Sequence, residues 1–452
     1  MDVPISSLPD APIVAGLEPT PDAEAILAQL YPGVRLIPDF APPHRNGLLR
    51  LETASGLPFN RCDVVDTYWH RPPYTLDLRL VRYDNGSVLP EVIDRAVIGT
   101  RGSREAFRRH VDATALRLVE DAFLGRSRGA ISAPPCPATQ GGRWTGWIDH
   151  LRARCAERLL SEWWSLGVSS TSLRQIVTTG RLGPVDWLHA DKGDAYFADP
   201  FPWPGTGELL VEEMPMHGGH GRIVALTPDH GTYRTRKTIL ADAQHHSYPC
   251  TFQENGTTWM VPEATERGTT VLYRLEGDGQ LHPVSRVAPQ RRLSDPTLFR
   301  HDGRYWIACA DLDFGAHDSL CLLHATCLEG PWQSHRLNPV RIDIRGARPA
   351  GNVFRVGDAL FRPGQNCAAT YGGGITLYRI DALTPDDYQE TAVASLLPDR
   401  NGPFPHGLHT LVNDGTHTWV DGKRFVLDWT VLSQKLRRRL WSRPEPRLEQ
   451  PA

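Results

Sequence analysis

This sequence has almost no net charge, few cysteines and no long apolar run. Lys and Arg total 49 against 52 Asp and Glu, a formal charge of −3, so the overall balance does not draw the chain to nucleic acid. The eight cysteines contain no C-x-x-C pair and their scatter is not that of a disulfide framework; free thiols suit a reducing compartment. No stretch approaches the ~20 consecutive apolar residues of a membrane-spanning helix. No leader pattern opens the chain, and the expected location is the cytoplasm.

What the sequence does have is turn chemistry. Its 40 Gly and 38 Pro punctuate short runs of β-branched and aromatic residues. One pattern recurs: Tyr196-Phe197-Ala198-Asp199-Pro200-Phe201, Ser247-Tyr248-Pro249, Ser294-Asp295-Pro296-Thr297 and Ala347-Arg348-Pro349, with a weaker copy at His409-Thr410-Leu411. Asn255-Gly256 and Asp302-Gly303 follow the second and third copies at the same spacing and predict hairpins with primed turns. A repeat of about 50 residues, each a small antiparallel sheet, is the mark of a β-propeller.

The expected fold is mainly β: a five-bladed β-propeller over 183–430, preceded by a smaller α+β N-terminal region over 1–140. A helical linker over 145–182 and a basic tail over 431–452 complete the division. In the N-terminal region, Pro21 at a helix start, a strand over 75–83 with Leu76, Leu78 and Leu80 in alternation, and a helix over 104–124 carrying Phe107, Val111, Leu118 and Ala122 are expected. Apolar residues three or four apart predict a further helix over 147–166. The tail around Arg437-Arg438-Arg439 is a solvated helix end or a peripheral membrane contact.

The register of the repeat selects the candidate site. The first strand of each blade lines the channel, so Asp199, Tyr248, Asp295, Arg348 and His409 should ring one cavity. Paired carboxylates in one cavity separate in pKa and divide acid and base work. On this reading Asp199, Asp295 and Glu263 are catalytic, and Glu213 stands with Glu263 at a matching strand end. Arg348 offers a fork to phosphate or pairs with a ring carboxylate. Tyr248, Gln365 and His409 are substrate-binding candidates, and Asn366 is a further polar neighbour. His217-Gly218-Gly219-His220 and His245-His246 lack a helical spacing and a third ligand, so neither metal nor cofactor is expected.

The motifs YFADPFPW (196–203), SYPCTF (247–252), VPEAT (261–265), SDPTLF (294–299), ARPAGNVFR (347–355), RPGQNC (362–367) and HTLVNDG (409–415) resemble the glucosamine inositolphosphorylceramide transferase family, and specifically its propeller region. The resemblance implies a glycosyltransferase-type, carbohydrate-active protein. Its partners would be a sugar or sugar nucleotide and a lipid-linked or polysaccharide acceptor. Residues 40–125 are similar to the back part of a formyltransferase-like segment found in bacterial relatives, reduced and without that activity's Asn/His/Asp set. The propeller is also similar to that of furanosidase-type glycoside hydrolases, which place a base like Asp199 and a supporting carboxylate like Asp295. Where those enzymes carry a general-acid Glu, this chain has Arg348-Pro349, which suits a phosphorylated group. The alternatives are hydrolysis, with Glu263 supplying the acid, and glycan binding without catalysis.

Overall fold

The computed structural model describes residues 13–16, 21–30, 35–37, 48–56, 59, 61–71, 73–83, 90–128, 160–188, 195–229, 231–264 and 268–428. The start of the helix expected over 147–166 and the basic tail over 431–452 lie outside them.

The described residues are mainly β. An N-terminal sheet runs, in spatial order, Arg35–Ile37, Ile13–Ala15, Leu48–Thr53, Thr75–Tyr83 and Glu91–Gly99. Ile13–Ala15 pairs in parallel with both its neighbours, and the remaining pairs are antiparallel. Three helices accompany it: α1 (Pro21–Leu30), α2 (Arg61–Tyr68) and α3 (Arg104–Phe123). The period-2 reading of 75–83 holds, since Leu76, Leu78 and Leu80 are fully buried. So does the 3.6-residue stripe of α3, whose Phe107, Val111, Leu118 and Ala122 share that core. Ser103 caps α3, its hydroxyl accepting the Ala106 N–H at 3.1 Å.

Five further antiparallel sheets follow, the first four of them built as short meanders. The first holds Ala195–Trp203, Glu208–Pro215, Arg222–Asp229 and Thr232–Leu240; the second Ser247–Glu254, Thr257–Glu263, Thr270–Leu275 and Leu281–Val287. The third is built on Leu293–His301, Arg304–Asp311 and Ser319–Ala325, and the fourth on Phe354–Val356, Ala359–Gln365, Ile375–Leu383 and Tyr388–Leu396. Asn255-Gly256 and Asp302-Gly303 have positive φ at both residues, as primed turns require. The leading strands of the first three sheets pack on one another.

The last sheet corrects the sequence reading. Its order is Leu411–Asn413, Thr418–Val426, Ser161–Ser169, Asp186–Trp187. Ser161–Ser169 lies along Thr418–Val426 over its whole length, so residues 161–166 are strand, not helix. A local helical period was overridden by long-range pairing, and Trp164, not Trp163, turns inward. The segment expected to be a linker thus helps form the last sheet. Asp421-Gly422, which resembles a turn in sequence, is mid-strand; Gly422 is required there because an added Cβ would meet the Trp187 ring at 2.3 Å. The N-terminal sheet is joined to the third by a bridge between Val97 and Asp343, by Arg128 donating to the Pro339 carbonyl at 3.0 Å, and by Ile342 entering the N-terminal core.

Candidate functional site: a buried carboxylate cluster

The repeated X-Pro step makes a bulge. In the first sheet Ala198 pairs with Glu212 and the next pair is Phe201 with Leu210; the second and third sheets skip equivalently after Ser247 and Ser294. Proline supplies no N–H to the ladder, and the residue before it adopts a left-handed backbone: φ is 52° at Asp199, 47° at Tyr248 and 50° at Asp295. That conformation costs roughly 1–2 kcal/mol for a non-glycine residue. It occurs at three matching inward positions, where a bulge re-aims a side chain.

The side chains so aimed share one network. Asp199 accepts from Thr410 Oγ1 at 2.8 Å and from the Tyr248 N–H at 3.2 Å. His409 lies between two carboxylates, Nε2 at 3.3 Å from Asp199 and Nδ1 at 2.8 Å from Asp421. Asp421 also accepts the N–H groups of Asp199, His409 and Thr410 at 3.0–3.1 Å. Asp295 receives Arg348 Nε at 2.5 Å, Arg348 Nη2 at 3.2 Å and Gln365 Nε2 at 2.7 Å, while its own N–H donates to Glu263 at 2.9 Å.

Burial raises these acids. Asp199 is pushed up to about 6, with His409 opposing and Asp421 and Asp295 adding. Burial takes Asp295 to about 7 against the pull of Arg348, with Glu263 adding. Burial, then Asp199 and Glu263, hold Glu212 well above its usual value. Burial alone would lower His409, but Asp421 and Asp199 outweigh it and raise the imidazole. Asp199 and Asp295 thus keep protons in the fold at pH values where the unfolded chain has lost them. The native state binds more protons in that window, so stability falls as pH rises through it, and raised His409 contributes with the same sign. Melting temperature should drop between about pH 5 and pH 8, and Asp199→Asn should flatten that slope; a wild-type profile flat or rising over the range would contradict it.

The structure brings Asp199, Glu263, Asp295, Arg348, Gln365 and His409 together. It does not bring Glu213, whose carboxylate turns away to Arg222 and Arg236. The residue in register with Glu263 is Glu212: it pairs with Ala198 as Glu263 pairs with Ser247. A slip of one residue moves a side chain to the opposite face. Glu212→Gln should therefore disturb the carboxylate cluster and Glu213→Gln should not, as the pH dependence of melting of the two variants will tell; equal effects would contradict the register.

Two further expectations change. Tyr248 is fully buried, its hydroxyl bonding Thr297 at 2.8 Å and accepting the Gly351 N–H at 2.7 Å, so it props the sheets rather than stacking on a ligand. Arg348 is not an open phosphate fork. Besides Asp295, its Nη1 donates to the Ala316 carbonyl at 3.2 Å and meets His317 at 3.4 Å, and Nη2 lies 3.6 Å from Glu263. Asn366 turns to its own loop, accepting the Ala368 N–H.

Residues not assigned to the site from the sequence complete it. Asp421 and Thr410 hold Asp199. His245 stands 3.5 Å from Glu212. Tyr371 packs between His409, with ring centroids 5.6 Å apart, and the Arg348 guanidinium at 5.3 Å. Lys423, fully buried, pairs with Glu162 at 3.1 Å and lies over the Trp164 ring. Donor atoms of Asp199, His409 and Asp421 lie within 4.8 Å of one another, close enough to hold a metal ion. Both imidazole nitrogens already face carboxylates, so an ion would have to displace those contacts. A cavity of about 540 Å³ opens beside the cluster, lined by Tyr371, His317 and Glu162 on one side and by α3 on the other.

Residues 192–402 match a family model described as glucosamine inositolphosphorylceramide transferase 1, N-terminal. Glucosamine inositolphosphorylceramide transferase 1 of Oryza sativa subsp. japonica is 32% identical over 209 residues, 44% of this chain and 28% of that protein. The Arabidopsis thaliana protein of the same name is 32% identical over 219 residues, 46% of this chain and 28% of its own. Among solved structures, a family 117 glycoside hydrolase from Zobellia galactanivorans aligns over 60% of this chain and 92% of its own at 13% identity, with a TM-score of 0.37. The chain spans 28% of the length of the curated relatives it matches. Residues 192–402 are therefore similar to the N-terminal segment of glucosamine inositolphosphorylceramide transferase 1, in keeping with the resemblance of the motifs.

Proposed function

We propose that this protein is a carbohydrate-active, glycosyltransferase-type propeller that holds a sugar over the buried carboxylate cluster. The five sheets are its blades, the last one assembled from residues before and after the other four. The observation that carries this reading is the convergence of Asp199, Glu212, Glu263 and Asp295, each no more than 7% exposed, around His409 and Arg348, whose neighbours Tyr371 and His317 line a cavity of about 540 Å³. A space of this size suits a small ligand. The carboxylates outnumber Arg348, Lys423 and His409 around them, which favours a sugar bearing an ammonium group. Glucosamine, part of the relatives' name, is such a sugar. Asp199 is the base that takes a proton from the attacking hydroxyl, poised near neutrality by burial. His409 and Asp421 orient it.

One observation favours hydrolysis as the second reading: burial raises Asp295 to about 7 beside Glu263, toward the range in which a carboxyl serves as a general acid. Incubation of the purified chain with a panel of UDP- and GDP-linked sugars, and separately with oligosaccharides, distinguishes the two. Transfer product by mass spectrometry supports the first and new reducing ends support the second. Sugar binding with neither product would leave glycan binding alone.

A further inference from the structure

Nothing in the family match reaches α3, yet α3 forms one wall of the cavity. The opposite wall is one residue from the carboxylate cluster: Tyr371 lies against His409 and under Arg348, and His317 contacts Arg348. On the α3 side stand Ala106, Phe107 and His110, with Arg101 just before the helix. The seam is held rather than loosely apposed. His110 Nε2 lies 2.6 Å from Asp318 Oδ2, the Ile344 N–H donates to the Val97 carbonyl at 2.8 Å, and the Arg117 guanidinium sits 4.6 Å over the Phe314 ring.

The lining alternates in kind. Glu162 and Asp318 accept, Arg101, His110 and His317 donate, and Phe107 and the Tyr371 ring are apolar faces. Asp318 is 3% exposed, and its Oδ1 has no hydrogen-bond partner among the described residues although Oδ2 is taken by His110. A buried carboxylate oxygen left unpaired is costly, and a hydroxyl donor reaching it would relieve that cost. Donors, acceptors and apolar faces within one small cavity match a hydroxylated ring better than an anion or a hydrocarbon.

We infer that α3 and the 315–318 loop form a second sugar subsite, so that the cavity takes at least two linked sugar residues, one at Tyr371 over the cluster and the next against α3. This rests on the proposed function and extends it, because it makes the N-terminal unit a determinant of what is joined to the first sugar. The consequence is a chain-length preference set outside the segment shared with the relatives.

The test uses the full chain and two probes, glucosamine and its β-1,4-linked dimer, titrated by calorimetry. Wild type is expected to bind the dimer at least tenfold more tightly than the monomer. Ala106→Trp, an exposed position on α3 that would fill the cavity, should lower the dimer-to-monomer affinity ratio at least tenfold. Arg101→Ala should lower the same ratio by a smaller factor. If wild type binds both sugars and neither variant moves the ratio, the second subsite is wrong and the central site stands. If wild type binds neither sugar, the proposed function falls and the subsite with it.

Discussion

Arg348→Ala is expected to destabilise the fold by about 3–5 kcal/mol, the usual consequence of removing one partner from a buried ion pair. Arg348 and Asp295 are 7% and 3% exposed, and Asp295 lies within 3.2 Å of two guanidinium nitrogens. Without the cation, Asp295 must either carry a charge in a dry interior beside Glu263 or hold its proton to a still higher pH. Gln365 alone cannot replace the pair, since it supplies a single neutral donor at 2.7 Å. The second substitution in Arg348→Ala/Asp295→Asn removes the stranded charge, so the double variant should recover much of the loss. Denaturant midpoints of the two single variants and the double variant form the cycle. A loss of under about 1 kcal/mol for Arg348→Ala, the range of exposed pairs, would mean that the pair is solvated and the cluster is not the closed electrostatic unit described above.

Asp199→Asn is expected to reduce turnover of the responsive sugar substrate by about 10²–10⁴-fold, the range for loss of a general base. Structure should survive the change. An asparagine in the same rotamer can accept the Tyr248 N–H through its oxygen and donate to Thr410 Oγ1, because a hydroxyl both donates and accepts. What disappears is the group that takes the proton and one of the two negative charges, with Asp421, that hold His409 raised. The fall should therefore lie in kcat, with KM changed little. Asp421→Asn should lose less, because it acts through the orientation of Asp199 and His409 and not on the substrate. Unaltered kcat in Asp199→Asn would end the assignment of the base, whereas a loss of sugar affinity as large as the loss of rate would make Asp199 a binding group.

The repeat was legible because its signals are local. Proline after an inward residue, and Asn-Gly or Asp-Gly at a fixed distance, are choices made within a few residues of backbone, so the strands of the first three sheets fell where their turns required. The alternation of Leu76, Leu78 and Leu80 and the α3 stripe were readable for the same reason. Glu213 was misassigned because Leu209 through Glu213 are all buried, which removes the alternation that normally identifies a face. The strand Ser161–Ser169 escaped because its partner lies some 250 residues away, and no local period reports such a partner.

By itself, the sequence determined the small sheets, their turns, and the register that points Asp199, Asp295, Arg348 and His409 toward one another. Hairpin turns and prolines act through short-range sterics that every copy of the repeat contains. Only the tertiary structure decided how those groups pair, that Glu212 and not Glu213 joins them, that Asp421 anchors Asp199, and that α3 walls the cavity. Those outcomes depend on contacts between residues remote in the chain, and on the cost of burying a charge without a partner, which has no meaning until the chain has folded around it.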